Sequence, residues 1–337
     1  MDFSLPKIVI LKFKNYGEIP GGKNELKPLL YPFYHFYPFK FWSQYRWSKN
    51  SKLCIYLASL DKRKKWLSVI DRLGAPGDAL ITTNVIRCIK KEFPNLLINC
   101  ITPHPELIKL DPKIDSINKP ETFFSFDSSY WELIVNKEKS ENIVKHNLSK
   151  LAISEFKYKS IFYLSEEEKA WAKEKFKQFN SSKPFLAICT KSKEIVKNWP
   201  NDYWSELIKN LLPYFLIILL GDESEPRFEG VTRLAGKLTM RESAAILSCA
   251  NHFIGPDSLL MHMANGLDIP STIIFGGSRP VNCFGYEENE NLSNVPDCSP
   301  CWIHEGYEEC NNKLKCLRNI VPTQIFSKIT SKLINKL

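Results

Sequence analysis

The chain has 337 residues, 44% of them hydrophobic and 25% charged, with ten cysteines and a formal net charge of +9. That length suits about two ordinary domains with sizeable cores, and the composition excludes disordered, collagen-like and disulfide-miniature classes. No apolar run reaches the roughly 20 residues that cross a bilayer, and the opening MDFSLPKIVILKFKNYG lacks a secretory h-region and cleavage site, so a cytoplasmic location is expected.

Three parts follow in chain order: a segment 1–66, an α/β unit 67–180, and a second α/β unit 181–337 that ends in a helix. The first 66 residues carry 13 Lys and Arg against 4 Asp and Glu, while the remainder balances at 33 of each. A neutral body with a cationic attachment is therefore expected, not a uniformly basic nucleic-acid binder. Residues 31–47, YPFYHFYPFKFWSQYRW, hold ten aromatic rings among seventeen residues. Pro32 and Pro38 break any continuous helix before Lys40. Rings interleaved with Lys40, Arg46, Lys49 and Lys52 suit an anionic membrane surface. The same composition also suits a flap packed on the body, or stacking on single-stranded nucleic acid.

From residue 67 the pattern becomes regular. LSVIDRL reads as a buried strand and GAPGD as the turn after it. A helix from about Ile81 to Phe93 follows, with Val85, Ile89 and Phe93 on one stripe and Pro94 ending it. LLINCIT is a second strand, so the stretch forms a βαβ unit of a parallel sheet. Residues 121–160 give no clear pattern. Beyond them, FLAICT (185–190) reads as a strand, and 201–212 as a helix with Trp204, Leu207, Ile208, Leu211 and Leu212 at helical spacing. YFLIILLGD (214–222) is an apolar strand, and Thr239 with Glu242 forms a capping box for the next helix. NHFIGPDS leads from a strand into a helix at Leu259–Leu267, and STIIFGG is another strand. Strands alternating with helices predict doubly wound sheets, which bind ligands at the carboxyl ends of their strands.

Those strand ends carry Gly77-Asp78, Thr190 through Lys197, Asp222-Glu223, Asp257-Ser258 and Gly276-Gly277. Helix-start amides with a lysine point charge suit a diphosphate group. Carboxylates among them suit ribose hydroxyls or general-base work. Taken singly, Asp78 or Asp257 reads equally as a helix N-cap.

Taken together, RLGAPGDALITTNVIRCIKKEFPN (72–95), KNWPNDYWSELI (197–208), LLGDESE (219–225), LTMRESAAILSCANHFIGPDSLLMHMANGLDIPSTIIFGG (238–277) and CSPCWIHEGYEECNNKLKCLRNIVPTQI (298–325) resemble glycosyltransferase family 9, the heptosyltransferases of lipopolysaccharide cores. The resemblance implies a GT-B architecture, with two Rossmann-like doubly wound domains facing a cleft. It implies an inverting transferase that moves a sugar such as heptose from a nucleotide-diphosphate donor, such as ADP-heptose, to a lipid-linked or surface-glycan acceptor. Asp78 matches the family's proposed base, and Lys197 the lysine on the donor phosphates. Thr190 and Ser192 match the phosphate-side loop, Asp222 or Glu223 the acid at the ribose, and Leu238 the nucleobase wall. Asp257, Ser258 and His262 match the loop and helix start around the diphosphate and sugar. No metal is implied for catalysis, and attachment to the inner face of the membrane is implied for the enzyme. One departure falls inside the motif: Leu259 stands where the family usually has glycine, a position where backbone approaches phosphate. Another is segment 1–66, which has no counterpart in the core family.

Cys298, Cys301, Cys310 and Cys316 are spaced C-x2-C-x8-C-x5-C. Four thiolates so placed could hold a structural zinc or iron, with His304 able to replace one of them; reduced packed thiols and disulfides are the alternatives. The other six cysteines read as small core hydrophobes. Two rival readings remain: a metal-stabilised nucleic-acid-binding protein, against which the neutral body argues, and a non-catalytic binding subunit on a glycosyltransferase fold.

Overall fold

The computed structural model describes residues 66–120, 124–137, 140–301 and 310–333. The readings made for segment 1–66, Trp66 excepted, and for Cys54 and His304 lie outside the described residues.

The first half runs through β1 (Trp66–Ile70), α1 (Pro76–Glu92), β2 (Leu97–Ile101), α2 (Pro105–Ile108), β3 (Ser116–Ile117), β4 (Phe124–Asp127), α3 (Trp131–Val135) and α4 (Ile143–Ser149). Its four strands form one parallel sheet in the order β3-β2-β1-β4. The second half runs through α5 (Glu166–Lys177), β5 (Phe185–Ile188), a 3-10 turn (Ile195–Lys197), α6 (Asn201–Leu211), β6 (Leu216–Leu219), β7 (Thr232–Arg233), α7 (Met240–Leu247) and β8 (His252–Pro256). It continues through α8 (Leu259–Gly266), β9 (Ser271–Phe275), α9 (Val281–Phe284), β10 (Glu290–Ser293), α10 (Lys315–Arg318) and α11 (Pro322–Leu333). Its sheet is also parallel, in the order β10-β9-β8-β5-β6-β7. Every residue of β5, β8 and β9 is buried, as strands covered on both faces require.

Two expectations need correction. The helix after β1 begins at Pro76, not near Ile81, so most of GAPGD is its first turn. Proline costs nothing at a helix start, where its missing N–H has no partner to lose. Asp78 reinforces that start by accepting the Ala75 N–H at 3.2 Å. The apolar run 214–222 yields a strand only over Leu216–Leu219, with Tyr214 exposed. Beyond that strand the backbone still reaches the sheet, since the Leu220 N–H donates to the Ile188 carbonyl at 2.9 Å. The Thr239–Glu242 capping box forms as expected and starts α7.

In the first sheet, chain order reverses between β1 and β4; in the second, between β5 and β8. At such a switch point the connecting loops part to opposite faces and leave a crevice at the carboxyl ends of the strands. The two halves meet where α1 packs on α8. The contact is tight: a Cβ on Gly77 would lie 2.9 Å from Cδ2 of His262. Buried Arg241 joins further segments, donating to Glu168 at 2.5 and 2.6 Å and to the carbonyls of Glu106 and Tyr163.

Candidate active site

The first sheet's switch point presents Asp78 and Tyr130. Asp78 sits in the opening turn of α1, and Tyr130 follows β4 by three residues. The Tyr130 hydroxyl donates to Asp78 Oδ1 at 2.7 Å. Burial pushes the Asp78 carboxyl above the ordinary aspartate range, against the pull of the Tyr130 and Ala75 hydrogen bonds and of Lys197. A second carboxyl, Asp71, opens the loop between β1 and α1. It accepts from Thr102 Oγ1 at 2.8 Å and from the Gly74 N–H at 3.1 Å. Burial, with Asp78 nearby, raises it to about 7. The sequence did not single out Asp71, because an aspartate at a strand end looks like any other turn residue.

The second sheet's switch point supplies the opposite charge. Lys197 Nζ lies 2.8 Å from Asp257 and 3.6 Å from Glu194. Thr190 donates its hydroxyl to Glu225 at 2.5 Å, and its N–H reaches the same carboxylate at 3.1 Å. The Lys191 N–H adds a bond at 3.0 Å, so one buried carboxylate shapes the turn after β5. Burial holds Glu225 above the usual carboxylate range. The Ser192 N–H donates to Asn198 Oδ1 at 2.6 Å, which draws the rest of the loop back towards Lys197. Ser258 occupies the position before α8. Leu238, half-buried, precedes the Thr239 cap of α7.

His262 belongs to both halves. It is buried on α8 with Nδ1 2.7 Å from the Tyr286 hydroxyl, while its Cδ2–Nε2 edge faces Gly77. Burial lowers its pKa to about 4, helped by Lys197 and opposed by Asp257, so the ring is neutral near pH 7. Asp78, Lys197, Asp257 and His262 are thus brought together where the two switch points face each other.

Asp222 and Glu223 are not brought to that centre. Both are exposed, and Asp222 is spent locally on the Ser224 N–H at 2.8 Å and its hydroxyl. The inward acid of this turn is Glu225, two residues later. In DESE three acids compete for one inward place, and only the turn's geometry chooses among them. Three further residues were not anticipated: Tyr130, Glu194 and Arg279. Tyr130 lies in the stretch without clear periodicity, and Glu194 meets Arg279 at 3.0 Å across 85 residues of sequence. No local signal announces such a pair.

The cysteine set stands apart. Among the described residues, no three His, Cys, Asp or Glu side chains are placed to hold a metal ion. Cys298 is exposed, and Cys310 Sγ accepts the Leu314 N–H at 3.4 Å. Burial raises the Cys316 thiol, with Cys301 and Cys310 near enough to add to the effect.

The chain and its fold have counterparts among known proteins. Residues 130–311 match the family model for glycosyltransferase family 9 (heptosyltransferase). Lipopolysaccharide heptosyltransferase 1 of Pseudomonas aeruginosa is 27% identical over 129 residues, 35% of this chain and 36% of that protein. The match thus spans little more than a third of that relative's length. A family 9 glycosyl transferase of Veillonella parvula superposes with a TM-score of 0.64 at 14% identity, covering 82% of this chain and 99% of that one. The iron-containing dodecameric heptosyltransferase TibC, solved in complex with ADP-D-beta-D-heptose, superposes with a TM-score of 0.59 at 17% identity, covering 80% and 76%. At such identities the superpositions speak for a shared GT-B fold. The family match covers more than half of the chain and takes in Lys197, Glu225, Asp257 and His262, so the chain belongs to glycosyltransferase family 9.

Proposed function

We propose that this chain is an inverting glycosyltransferase that moves heptose from ADP-heptose to a lipopolysaccharide-type acceptor. The observation that carries the reading is the meeting of Asp78, from one sheet, with the Lys197–Asp257 pair from the other. The names of the Pseudomonas relative and of the TibC complex support heptose and the adenine nucleotide as donor parts.

The chemistry needs a base and a charge sink on opposite sides of the anomeric carbon. Asp78, with its pKa raised by burial, accepts the proton of the acceptor hydroxyl as that oxygen attacks. The new C–O bond forms with inversion, the bond to the diphosphate breaks, and its electron pair leaves on the β-phosphate oxygen. Lys197 offsets the charge that develops there, with the amides at the start of α8 beside it. In this reading that charge is met by protein groups, so catalysis proceeds without a divalent metal. Thr190, Glu225 and Ser192 hold the loop that carries Lys197. Leu259, at the first position of α8, puts an isobutyl group where a glycine would leave backbone open to the phosphates.

Among the described residues, no helix is long and apolar enough to cross a membrane. In this reading the basic aromatic segment 1–66 holds the enzyme at the inner face of the membrane, where each Lys or Arg contributes about 1 kcal/mol at an anionic surface.

The deciding experiment is calorimetric titration with ADP, GDP and UDP, followed by transfer assays with ADP-heptose. Adenine preference is expected, with Lys197→Ala weakening ADP by about tenfold or more. Asp78→Asn should retain ADP binding while lowering kcat by roughly 10²- to 10⁴-fold. Preference for another base would replace the donor assignment. Failure to bind any nucleotide would overturn the reading.

A further inference from the structure

The loop after β4 is docked on α1 by two rungs. Asp78 and Thr82 stand four residues apart on α1 and therefore share one face of the helix. Opposite them, Ser128 and Tyr130 are two residues apart in the loop. Four helical residues rise about 6 Å and two extended residues span at most about 7 Å, so both pairs can meet at once. The Thr82 and Ser128 hydroxyls lie 2.7 Å apart, and the Tyr130 hydroxyl donates to Asp78 Oδ1 at 2.7 Å. Ser128 also donates to the Ile70 carbonyl at 3.1 Å, which ties the loop to the end of β1. The second half adds a further support, because the ring of buried Phe284 from α9 meets the Tyr130 ring edge-on, with centroids 5.5 Å apart.

An aspartate side chain has several rotamers, and a base must present one oxygen to one proton. Here both oxygens are engaged within the first half: Oδ2 by the Ala75 N–H at 3.2 Å, and Oδ1 by Tyr130. A carboxylate oxygen has two lone pairs, so Oδ1 keeps one for an incoming hydroxyl. Burial, with Asp78 beside it, pushes the Tyr130 hydroxyl well above its ordinary value, so it remains a donor at working pH. The other charged or titratable groups facing the pair are Asp71 after β1, Lys197 in the 3-10 turn, Asp257 after β8 and Arg279 after β9, with the His262 ring against Gly77. Removing the Tyr130 hydroxyl alone leaves each of them present.

We propose that Tyr130 is a positioning residue for the base: its hydroxyl fixes the orientation of the Asp78 carboxylate and favours the charged form that takes the acceptor's proton. The inference rests on Asp78 acting as the base and adds the group that prepares it.

The test is Tyr130→Phe, which removes the hydroxyl and keeps the ring on Phe284. Transfer from ADP-heptose to heptose-free lipopolysaccharide is followed against pH, with ADP affinity and unfolding midpoints in parallel. A carboxylate that loses a donor is harder to ionise, so the acid limb of kcat should move up by about one pH unit. Above that limb kcat should stay about tenfold low, with KM for the acceptor and ADP affinity little changed. The carboxyl carbon NMR signal of Asp78 should titrate at higher pH by a similar amount, a readout that needs no turnover. In an Asp78→Asn background the same change should cost nothing further. A ring-fluorinated tyrosine placed at position 130 is a stronger donor and should move the limb down, which decides the matter even where Tyr130→Phe does not fold. A limb and a carboxyl titration that stay put would overturn the proposal. So would a raised acceptor KM, or a loss that persists beside Asp78→Asn, because Tyr130 would then act on the acceptor itself. If the unaltered protein transferred no sugar, the base assignment would fall and take the inference with it. Normal transfer with an unmoved limb would sink this inference alone.

Discussion

Two buried carboxyl groups, Asp71 after β1 and Asp78 in the first turn of α1, lie near each other, and the cost of charging them sets a pH dependence that can be signed in advance. Asp71 has its folded pKa raised to about 7, so its stabilising contribution is complete below the ordinary aspartate range and is lost as pH rises towards 7. His262 works in the opposite direction. Its folded pKa of about 4 makes its contribution complete above about 6.5 and lost as pH falls towards 4. Asp71→Asn keeps an acceptor for the Gly74 N–H and a partner for Thr102 while removing the titration. Relative to the unaltered protein it should gain on the order of 2 to 4 kcal/mol between pH 4 and pH 7.5, read from urea midpoints. An unchanged difference across that range would show that Asp71 does not titrate there. At this scale the sequence was informative where a residue type is locally constrained. Asp78, Lys197 and Asp257 each sit beside a helix start, a placement the local sequence showed, while the roles expected of them came from the resemblance to family 9. Glu225, Glu194 and Arg279 acquire their roles only from contacts that span tens of residues.

Helices α1 and α8 carry the site between them, and their closest approach is Gly77 against the ring of His262. At Gly77 a Cβ would sit 2.9 Å from Cδ2 and 3.1 Å from Nε2 of that ring, so the glycine is a packing requirement and not a conformational one. Gly77→Ala should cost about 1–3 kcal/mol of stability through overpacking. It should lower turnover as well, because the strain lies one residue before Asp78. Combining it with His262→Ala should recover the stability but not the turnover, a non-additivity measurable in a double-mutant cycle. Most elements were legible in advance because central parallel strands are continuous apolar runs and α6 shows a clean helical stripe. The start of α1 was not, since Gly, Pro and Asp signal a turn and a helix N-terminus equally well. Nor was the stretch from β4 to α4, whose short elements are too brief for periodicity to emerge.

Across the whole molecule, Arg241 fastens α2 of the first half and the segment before α5 to α7 of the second. Its pair with Glu168 and its bonds to the Glu106 and Tyr163 carbonyls are largely buried, so Arg241→Met should cost about 3–5 kcal/mol in denaturant titrations. Adding Glu168→Gln should return part of that loss by removing the stranded carboxylate. The two-sheet plan could be read from the alternation of strands and helices, but the anchoring of one half to the other could not, because it runs through backbone carbonyls that have no sequence signature. The all-parallel topology bears finally on how the chain is made. The four strands of the first sheet are all present once residue 127 has left the ribosome, so that half can close while synthesis continues. In the second sheet β5 pairs with β8, which leaves Phe185–Ile188 with an apolar edge uncovered until His252–Pro256 emerges. During that interval the nascent chain depends on α6 and β6 to shield this apolar strand from other chains.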